Sequence, residues 1–244
     1  MPQRISHLAV NRAKVTRGQV NAAVETLGQG IANGTYPQGS TLAIEQKLAA
    51  SLGVGRNALR EAVKVLSGKG LISTAPRSGT KIRPMIDWNM LDPDVLNWHA
   101  DPATASPEFL LDLLELRQII EPRAAELAAE RATKTDLAEI LTACEDMATA
   151  AADVERRLEA DIRFHIAVLK ASHNRVMSHF RYAISTYLRA HVKLGKEQAQ
   201  DINKEDLDRH HKIAWAIASG KSTEAKQLTQ EILQTNRSHV KDKR

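Results

Sequence analysis

The chain has 244 residues and a net charge of +5, with 43% apolar and 26% charged residues. This composition suffices for one or two packed domains, and it excludes wholesale disorder and a collagen-like chain. A single cysteine, Cys144, excludes an internal disulfide and a thiolate-rich zinc site, and an aromatic content of 4% disfavours stacking platforms for single-stranded nucleic acid.

The positive charge is concentrated in the N-terminal part of the chain. Residues 1–86 contain 12 Lys and Arg but 3 Asp and Glu, a net +9, whereas residues 87–244 contain 22 basic and 26 acidic side chains, a net −4. This division is typical of a nucleic-acid-binding module joined to a sensing or assembly domain; a chance distribution of surface charge is the alternative. No apolar run could span a bilayer and no signal peptide is recognisable, so we expect a cytoplasmic protein with no membrane partner.

Apolar residues at helical spacing predict three helices in the basic module. The first covers residues 17–31, and the second covers residues 44–52 and ends at Gly53. The third begins two or three residues later and has an apolar stripe from Leu59 to Leu66. Two short helices joined by a tight turn are typical of a helix-turn-helix, whose second helix enters the major groove of DNA.

A second face of the third helix is basic. It carries Arg56 and Asn57 in the first turn, followed by Arg60 and Lys64. Arginine can pair with guanine O6 and N7 and asparagine with adenine N6 and N7, so Arg56 and Asn57 are suited to reading bases. Arg60 and Lys64 could read a base or hold phosphate. The alternative is a solvated cationic helix face.

A strand-turn-strand pattern follows the third helix. Strand-like runs at residues 71–74 and 80–83 bracket residues 75–79, and we interpret the unit as a wing. Its tip carries Arg77 and Gly79, where the missing side chain lets the backbone approach a phosphate closely. Gly79 alone is equally explained by ordinary turn geometry.

The segment YPQGSTLAIEQKLAASLGVGRNALREAVKVLSGKGLISTAPRSGTKIRP resembles the winged-helix domain of the GntR family of bacterial regulators, and the match covers residues 17–84. The resemblance implies a winged helix-turn-helix domain at residues 1–86 that binds double-stranded operator DNA. The sequence departs from the family at Ala43-Ile44, where Pro-Ser is usual, at Gly55, where Ser is usual, and at position 46, often Arg, so the operator sequence stays open. The DNA contacts that the resemblance implies come from Gln46, Arg56, Asn57, Arg60, Arg77, Ser78 and Gly79.

The remainder of the chain is predicted to be helical, so the fold class is mainly α. Residues 87–107 are interpreted as a connector with a short helix around Val95. Ser106-Pro107-Glu108 is a good helix start, and Pro122 should kink that helix. Further helices are expected from about residues 136, 153, 174, 204 and 222, which makes 108–244 an all-helical bundle for effector binding and dimerisation.

Asp161 and His165 are four residues apart and therefore project from one face of a helix. A carboxylate and an imidazole at this spacing suit zinc or another divalent ion, and His210 on a later helix could supply a third ligand. The alternative is a surface or half-buried ion pair, which the spacing alone does not distinguish.

Residues 108–240 resemble the all-helical FCD effector domain of the FadR subgroup, in which many members hold a metal through one Asp and three His. Asp161, His165 and His210 match three of these positions, and the register places Ile232 at the fourth. The resemblance therefore implies a divalent metal, zinc by preference, with three protein ligands and a position for water or an effector. Weak metal binding and an absent metal are the alternatives.

Arg117, on the first helix of this domain, is predicted to bind the carboxylate of an effector. Its planar guanidinium can bind an anion through two nitrogens, and the family places an Arg in the effector pocket. The alternative is a salt bridge to Glu121, one turn along. Arg189 and His191 are further candidates for the pocket. The effector-binding residues are thus expected to be Arg117, Asp161, His165, His210 and Arg189.

The segments WNMLDPDVLNW, ELRQIIEP and EADIRFH are similar to those of sugar-acid-sensing members of this family. The resemblance implies a homodimeric repressor of a sugar-acid catabolic operon, released from its operator by a sugar acid such as D-galactonate. Two winged helices also match palindromic half-sites, whereas one makes few phosphate contacts. The alternative is a metal-containing repressor or activator that responds to another small carboxylate. We expect no enzyme activity, because no general base or nucleophile accompanies the metal ligands.

Overall fold

The computed structural model of the chain describes residues 4–75, 79–101, 106–150, 153–194 and 204–241. The chain divides into two compact units, Met1–His99 and Ala100–Arg244. None of the described helices is both long and apolar enough to cross a membrane.

The first unit is a winged helix-turn-helix, which confirms the predicted fold. The strands of the wing are antiparallel, with Ile72 opposite Ile82 and Ala75 opposite Gly79. Leu59 and Leu66 of the third helix are fully buried in the core, as the apolar stripe predicted. The elements of this unit are α1 (Arg4–Ala32), α2 (Glu45–Ser51), α3 (Arg56–Gly68), β1 (Ile72–Ala75), β2 (Gly79–Ile82), a 3₁₀ turn (Met85–Asp87) and α4 (Pro93–His99).

Two boundaries differ from the sequence-based expectation. Helix α1 begins at Arg4 rather than at residue 17, because residues 5–17 contain neither the Gly nor the Pro that would stop helix propagation. The first compact unit runs on to His99 rather than to residue 86, because Trp88 and Trp98 are buried in its core.

Helix α4 is held against α1 by a close approach at Gly28. A Cβ atom at this position would lie 2.4 Å from the Trp98 ring, so only glycine lets the indole pack there. Val95 of α4 is completely buried in the same core. The tryptophans of the expected connector therefore act as core residues of the first unit.

The second unit is all-helical, which also confirms the prediction. Ser106 caps α5 by accepting a hydrogen bond from the Phe109 N–H at 3.0 Å, and α5 continues through Pro122 as one helix. The helices are α5 (Pro107–Arg131), α6 (Lys134–Thr149), α7 (Val154–Ala171), α8 (Arg181–Leu194), α9 (Lys204–Ala218) and α10 (Ser222–Lys241), with a 3₁₀ turn at Met177–Phe180.

The helix that was expected to begin near residue 174 begins at Arg181. His173 has a positive φ of 50°, and the side-chain oxygen of Asn174 accepts hydrogen bonds from the N–H groups of Val176 and Met177. These local bonds favour a turn over a regular first helical turn.

Helix α5 is central to the second unit, since it packs against α7, α8, α9 and α10. Side chains that point inward from these neighbours can therefore meet side chains of α5. The candidate site of this unit lies at that junction.

Candidate functional site

The first unit presents a polar and basic surface at the start of α3. Arg56 and Asn57 are exposed in its first turn, and Gln46 is exposed on α2. Arg60 is also exposed, and its Nε lies 2.9 Å from Glu45 Oε2, so this arginine links α3 to α2. Helix α3 thus combines a buried apolar face with an exposed face that can donate hydrogen bonds to bases and phosphates.

Gly79 of the expected wing contacts is exposed and adopts a positive φ of 74° at the start of β2. This conformation favours glycine, so turn geometry explains the residue without a ligand. The two neighbouring expected contacts, Arg77 and Ser78, lie outside the described residues.

In the second unit, Asp161 and His165 of α7 meet His210 of α9. Asp161 Oδ1 lies 3.2 Å from His165 Nε2 and 3.1 Å from His210 Nε2. The three ligand atoms all lie within 4.8 Å of one another. The sequence spacing placed the first two residues on one helical face, and the packing of α9 brings the third to them.

The two imidazole rings are oriented by bonds at their other nitrogens. His210 Nδ1 lies 2.8 Å from the backbone oxygen of Asp206 and donates to it. His165 Nδ1 lies 2.7 Å from Glu121 Oε2. Such partners fix the ring orientation of metal-ligating histidines and direct Nε2 toward the metal.

The buried polar atoms of this cluster face one another. Asp161 Oδ1 and His210 Nε2 are both buried and lie 3.1 Å apart, and His165 Nε2 is 3.2 Å from the same oxygen. A buried carboxylate oxygen beside two imidazole nitrogens fits the donor set of a divalent metal as well as an ion pair. Ile232, at the expected position of a fourth ligand, is buried and apolar and cannot coordinate. The donor set that fits a divalent metal is therefore one carboxylate and two imidazoles.

Arg117 of α5 forms the salt bridge that the sequence left open as an alternative. Its Nε lies 2.5 Å from Glu121 Oε1, and both side chains are buried. Its Nη2 lies 3.3 Å from His165 Nε2, which joins the arginine to the histidine cluster. The remaining nitrogen, Nη1, is buried without a hydrogen-bond partner among the described residues. Arg117 thus keeps one donor nitrogen for a ligand.

The charges of this cluster shift the pKa values of its members. Burial alone would raise the pKa of Glu121, but the adjacent Arg117 and His165 lower it to about 2. Burial would lower the pKa of His165, but the carboxylates of Glu121 and Asp161 raise it to about 9. His165 and His210 likewise hold the pKa of Asp161 well below its usual value, against the effect of burial. Both carboxylates are therefore ionised.

Tyr187 of α8 belongs to this site, although no sequence pattern singled it out. Its side chain is completely buried, and the Arg117 Cζ lies 4.9 Å from its ring centroid. The His191 ring stacks on it at 5.4 Å. Its hydroxyl has no hydrogen-bond partner among the described residues.

Arg189 of α8 is placed differently from the expectation. Its two terminal nitrogens lie 2.5 and 3.1 Å from the carboxylate oxygens of Glu159, in a bidentate ion pair that is about 40% exposed. Among the described contacts, none joins Arg189 to the aspartate–histidine cluster. Its guanidinium is directed elsewhere because α8 turns Tyr187, rather than Arg189, toward α5.

A small pocket, with an accessible volume of about 10 Å³, adjoins the cluster. Glu121 and His165 form part of its wall, and Thr229 adds a hydroxyl that already donates to the Ala225 carbonyl. The rest of the wall is apolar and consists of Ala124, Phe164, Val168, Leu169 and Ile213.

Comparison with known proteins assigns both units. Residues 19–82 match the model of the gntR family of bacterial regulatory proteins. Residues 112–235 match the FCD domain.

The chain is 39% identical to the galactonate operon transcriptional repressor of Escherichia coli over 176 residues, which cover 72% of this chain and 76% of that protein. It is 33% identical to a regulatory protein assigned to the L-lactate dehydrogenase operon of Escherichia coli, over 75% of this chain and 70% of that protein. A Streptococcus agalactiae GntR structure aligns with a TM-score of 0.51 and 27% identity, over 90% of this chain and 99% of that one.

Proposed function

Because this chain belongs to the GntR family of bacterial regulatory proteins and carries an FCD domain, we propose that it represses a sugar-acid catabolic operon as a homodimer. The chain is a transcriptional regulator, as its domains and relatives are, and not an enzyme. Its winged helix implies binding to operator DNA. The regulatory sign, the effector and the dimer are the parts that we propose.

For DNA, we propose that Arg56 and Asn57 read base edges, while Arg60 and Gln46 hold the helix on the phosphate backbone. The exposure of all four residues around the start of α3 supports this assignment. Arg77, Ser78 and Gly79 of the wing are proposed as further backbone contacts. A dimer would place two such units on a palindromic operator and supply enough phosphate contacts for tight binding.

For the effector, we propose a sugar acid such as D-galactonate. The observation that carries this proposal is the buried cluster of Arg117, Asp161 and His210, in which Arg117 Nη1 has no hydrogen-bond partner among the described residues, in a chain 39% identical to a galactonate operon repressor. Arg117 Nη1 would bind the carboxylate of the acid. Asp161, His165 and His210 would hold a divalent metal, zinc by preference, whose charge attracts oxygens of the same ligand.

Release from DNA requires a difference in affinity between two conformations. The sugar acid must bind the conformation that does not bind DNA more tightly than the DNA-bound one, because equal affinity would shift nothing. The buried location of the cluster suits this role, since ligand binding there must change the packing of α5, α7 and α9.

The test is an electrophoretic mobility shift titration. The operator is first selected by the full-length protein from a random double-stranded DNA library, and D-galactonate is then titrated into the complex. We expect dissociation at millimolar or lower ligand, with no effect of D-galactose, which has no carboxylate. A complex that stays intact with D-galactonate and related aldonates would contradict this effector class.

A second candidate effector is another small carboxylate. The apolar wall formed by Phe164, Val168, Leu169 and Ile213 favours an acid with a short apolar part over one with many hydroxyls. The similarity to a regulatory protein assigned to an L-lactate dehydrogenase operon points the same way. L-Lactate in the same titration distinguishes the two, and a reporter gene behind the selected operator shows whether the protein represses or activates.

A further inference from the structure

We propose that Tyr187 is a ligand-binding residue, whose hydroxyl forms a donor pair with Arg117 Nη1 for the carboxylate of a small acid. This inference rests on the proposed function, because it concerns the same effector site. It adds a residue that sequence reasoning did not select and defines the chemistry that the site recognises.

Contacts join Arg117, Tyr187 and the aspartate–histidine cluster into one buried group. The Arg117 Cζ lies 4.9 Å from the Tyr187 ring centroid, and Arg117 Nη2 lies 3.3 Å from His165 Nε2. His165 Nε2 is 3.2 Å from Asp161 Oδ1, which is 3.1 Å from His210 Nε2. Two members of this group keep a polar atom with no hydrogen-bond partner among the described residues: Arg117 Nη1 and Tyr187 OH.

Tyr187 and Arg117 both present hydrogen-bond donors to a ligand. Burial raises the pKa of Tyr187 to about 12, while the Arg117 guanidinium opposes that rise, so the hydroxyl keeps its proton. Arg117 has only donors, and its Nε and Nη2 are already engaged with Glu121. One unpaired donor is on the Arg117 cation and the other is the neutral Tyr187 hydroxyl. Together they favour a carboxylate ligand and disfavour an amine or an apolar group.

The Tyr187 hydroxyl is also held in place. The ring contacts the Arg117 guanidinium and stacks with the His191 imidazole, and its side chain is completely buried. A fixed aromatic donor binds a ligand without the loss of conformational freedom that a long polar side chain would suffer. A buried hydroxyl with no partner has no evident use in the folded chain alone.

The test compares Tyr187→Phe with the wild-type chain in two measurements. Thermal unfolding without any acid should be unchanged or shifted upward, because the substitution removes an unsatisfied hydroxyl and keeps the ring. Isothermal titration with D-galactonate, L-lactate and acetate, in one zinc-containing buffer, should show binding weakened by about 10- to 100-fold for the acids that bind wild type. The matched control is Tyr182→Phe, because Tyr182 is on the same helix but is exposed and bonded to Arg181.

The outcomes test the donor pair and the proposed effector separately. Equal affinity of wild type and Tyr187→Phe for D-galactonate would overturn the donor pair and leave the proposed effector intact. Binding of L-lactate or acetate that is weakened in Tyr187→Phe, with no binding of D-galactonate, would support the donor pair and overturn the proposed effector. A lower unfolding temperature for Tyr187→Phe would overturn the donor pair, since the hydroxyl would then have a structural partner. Failure of all three acids to bind would overturn both.

Discussion

Glu121 Oε2 lies 2.7 Å from His165 Nδ1, and both side chains are buried. Through this contact, a carboxylate on α5 sets the orientation of an imidazole on α7. The same carboxylate also pairs with Arg117, so it connects the expected carboxylate-binding residue to the expected metal ligands.

We expect Glu121→Gln to weaken zinc binding by about 10- to 100-fold, the usual effect of losing a partner that orients a ligating histidine. Zinc affinity can be measured by competition with a chromophoric chelator. Glu126→Gln is the matched control, because Glu126 is on the same helix and pairs with Arg123 and Lys226. Equal zinc affinity for wild type and Glu121→Gln would show that Glu121 does not act on the metal site.

The buried pair of Arg117 and Glu121 should also be visible in stability. Arg117→Met should lower the free energy of unfolding by about 3–5 kcal/mol, because it leaves the Glu121 carboxylate buried without its main counter-charge. Adding Glu121→Leu should recover part of this loss, since no lone charge remains. Urea unfolding of the single and double variants provides the values. If the double variant were less stable than Arg117→Met, unpaired charge would not be the cause.

The outcome at particular residues shows what the sequence could and could not predict. The Ser106 cap, the α3 stripe and the pairing of Asp161 with His165 depend on spacing within one element, and the structure has all three. Arg117 and Glu121 are also local, one turn apart, but their spacing could not tell an internal salt bridge from a ligand site.

Tyr187 shows the limit of such reasoning. A tyrosine on an amphipathic helix is read as a core residue, and only the three-dimensional packing reveals that its hydroxyl lacks a partner. The expected position of Arg189 differs from the observed one for the same reason, because its ion pair with Glu159 joins residues on two different helices. Contacts between elements are not encoded in the periodicity of either element.

Helix α2 lacks a side-chain cap, and one substitution should supply it. The N-cap residue is Ile44, with φ −55° and ψ 143°, no side-chain cap bond and a side chain that is 66% exposed. Ile44→Ser should raise the free energy of unfolding of the first unit by about 0.5–2 kcal/mol, because the hydroxyl can accept from a free N–H of the first turn. Ile44→Ala removes the exposed side chain without adding a cap. A stabilisation equal in both variants would assign the effect to the lost apolar exposure.

The start of α3 should govern specific DNA binding. Arg56→Ala and Asn57→Ala should each weaken binding to the selected operator by about 1–3 kcal/mol, while affinity for unrelated DNA falls less. Fluorescence anisotropy with both DNAs at one salt concentration measures the specific and the non-specific affinity. Lys212→Ala removes the same positive charge from an exposed site in the second unit, so it should leave the ratio of specific to non-specific affinity unchanged. An equal loss on both DNAs for Arg56→Ala would instead assign Arg56 to phosphate.

Cys144 should be chemically inert in the folded chain. Its side chain is completely buried on α6, and burial, assisted by the charges of Asp161 and Glu145, raises its pKa to about 12. A thiol reacts as the thiolate, so at about pH 8 almost none of the reactive form is present, and the reagent has no access to it. We expect no reaction with a disulfide reagent under native conditions and one thiol per chain in denaturant. Ala148→Cys places an exposed thiol one turn along the same helix, and that variant should react at once with one equivalent. Rapid labelling of the wild-type chain would mean that α6 opens readily, and the packing that holds Asp161 in place would then have to be reconsidered.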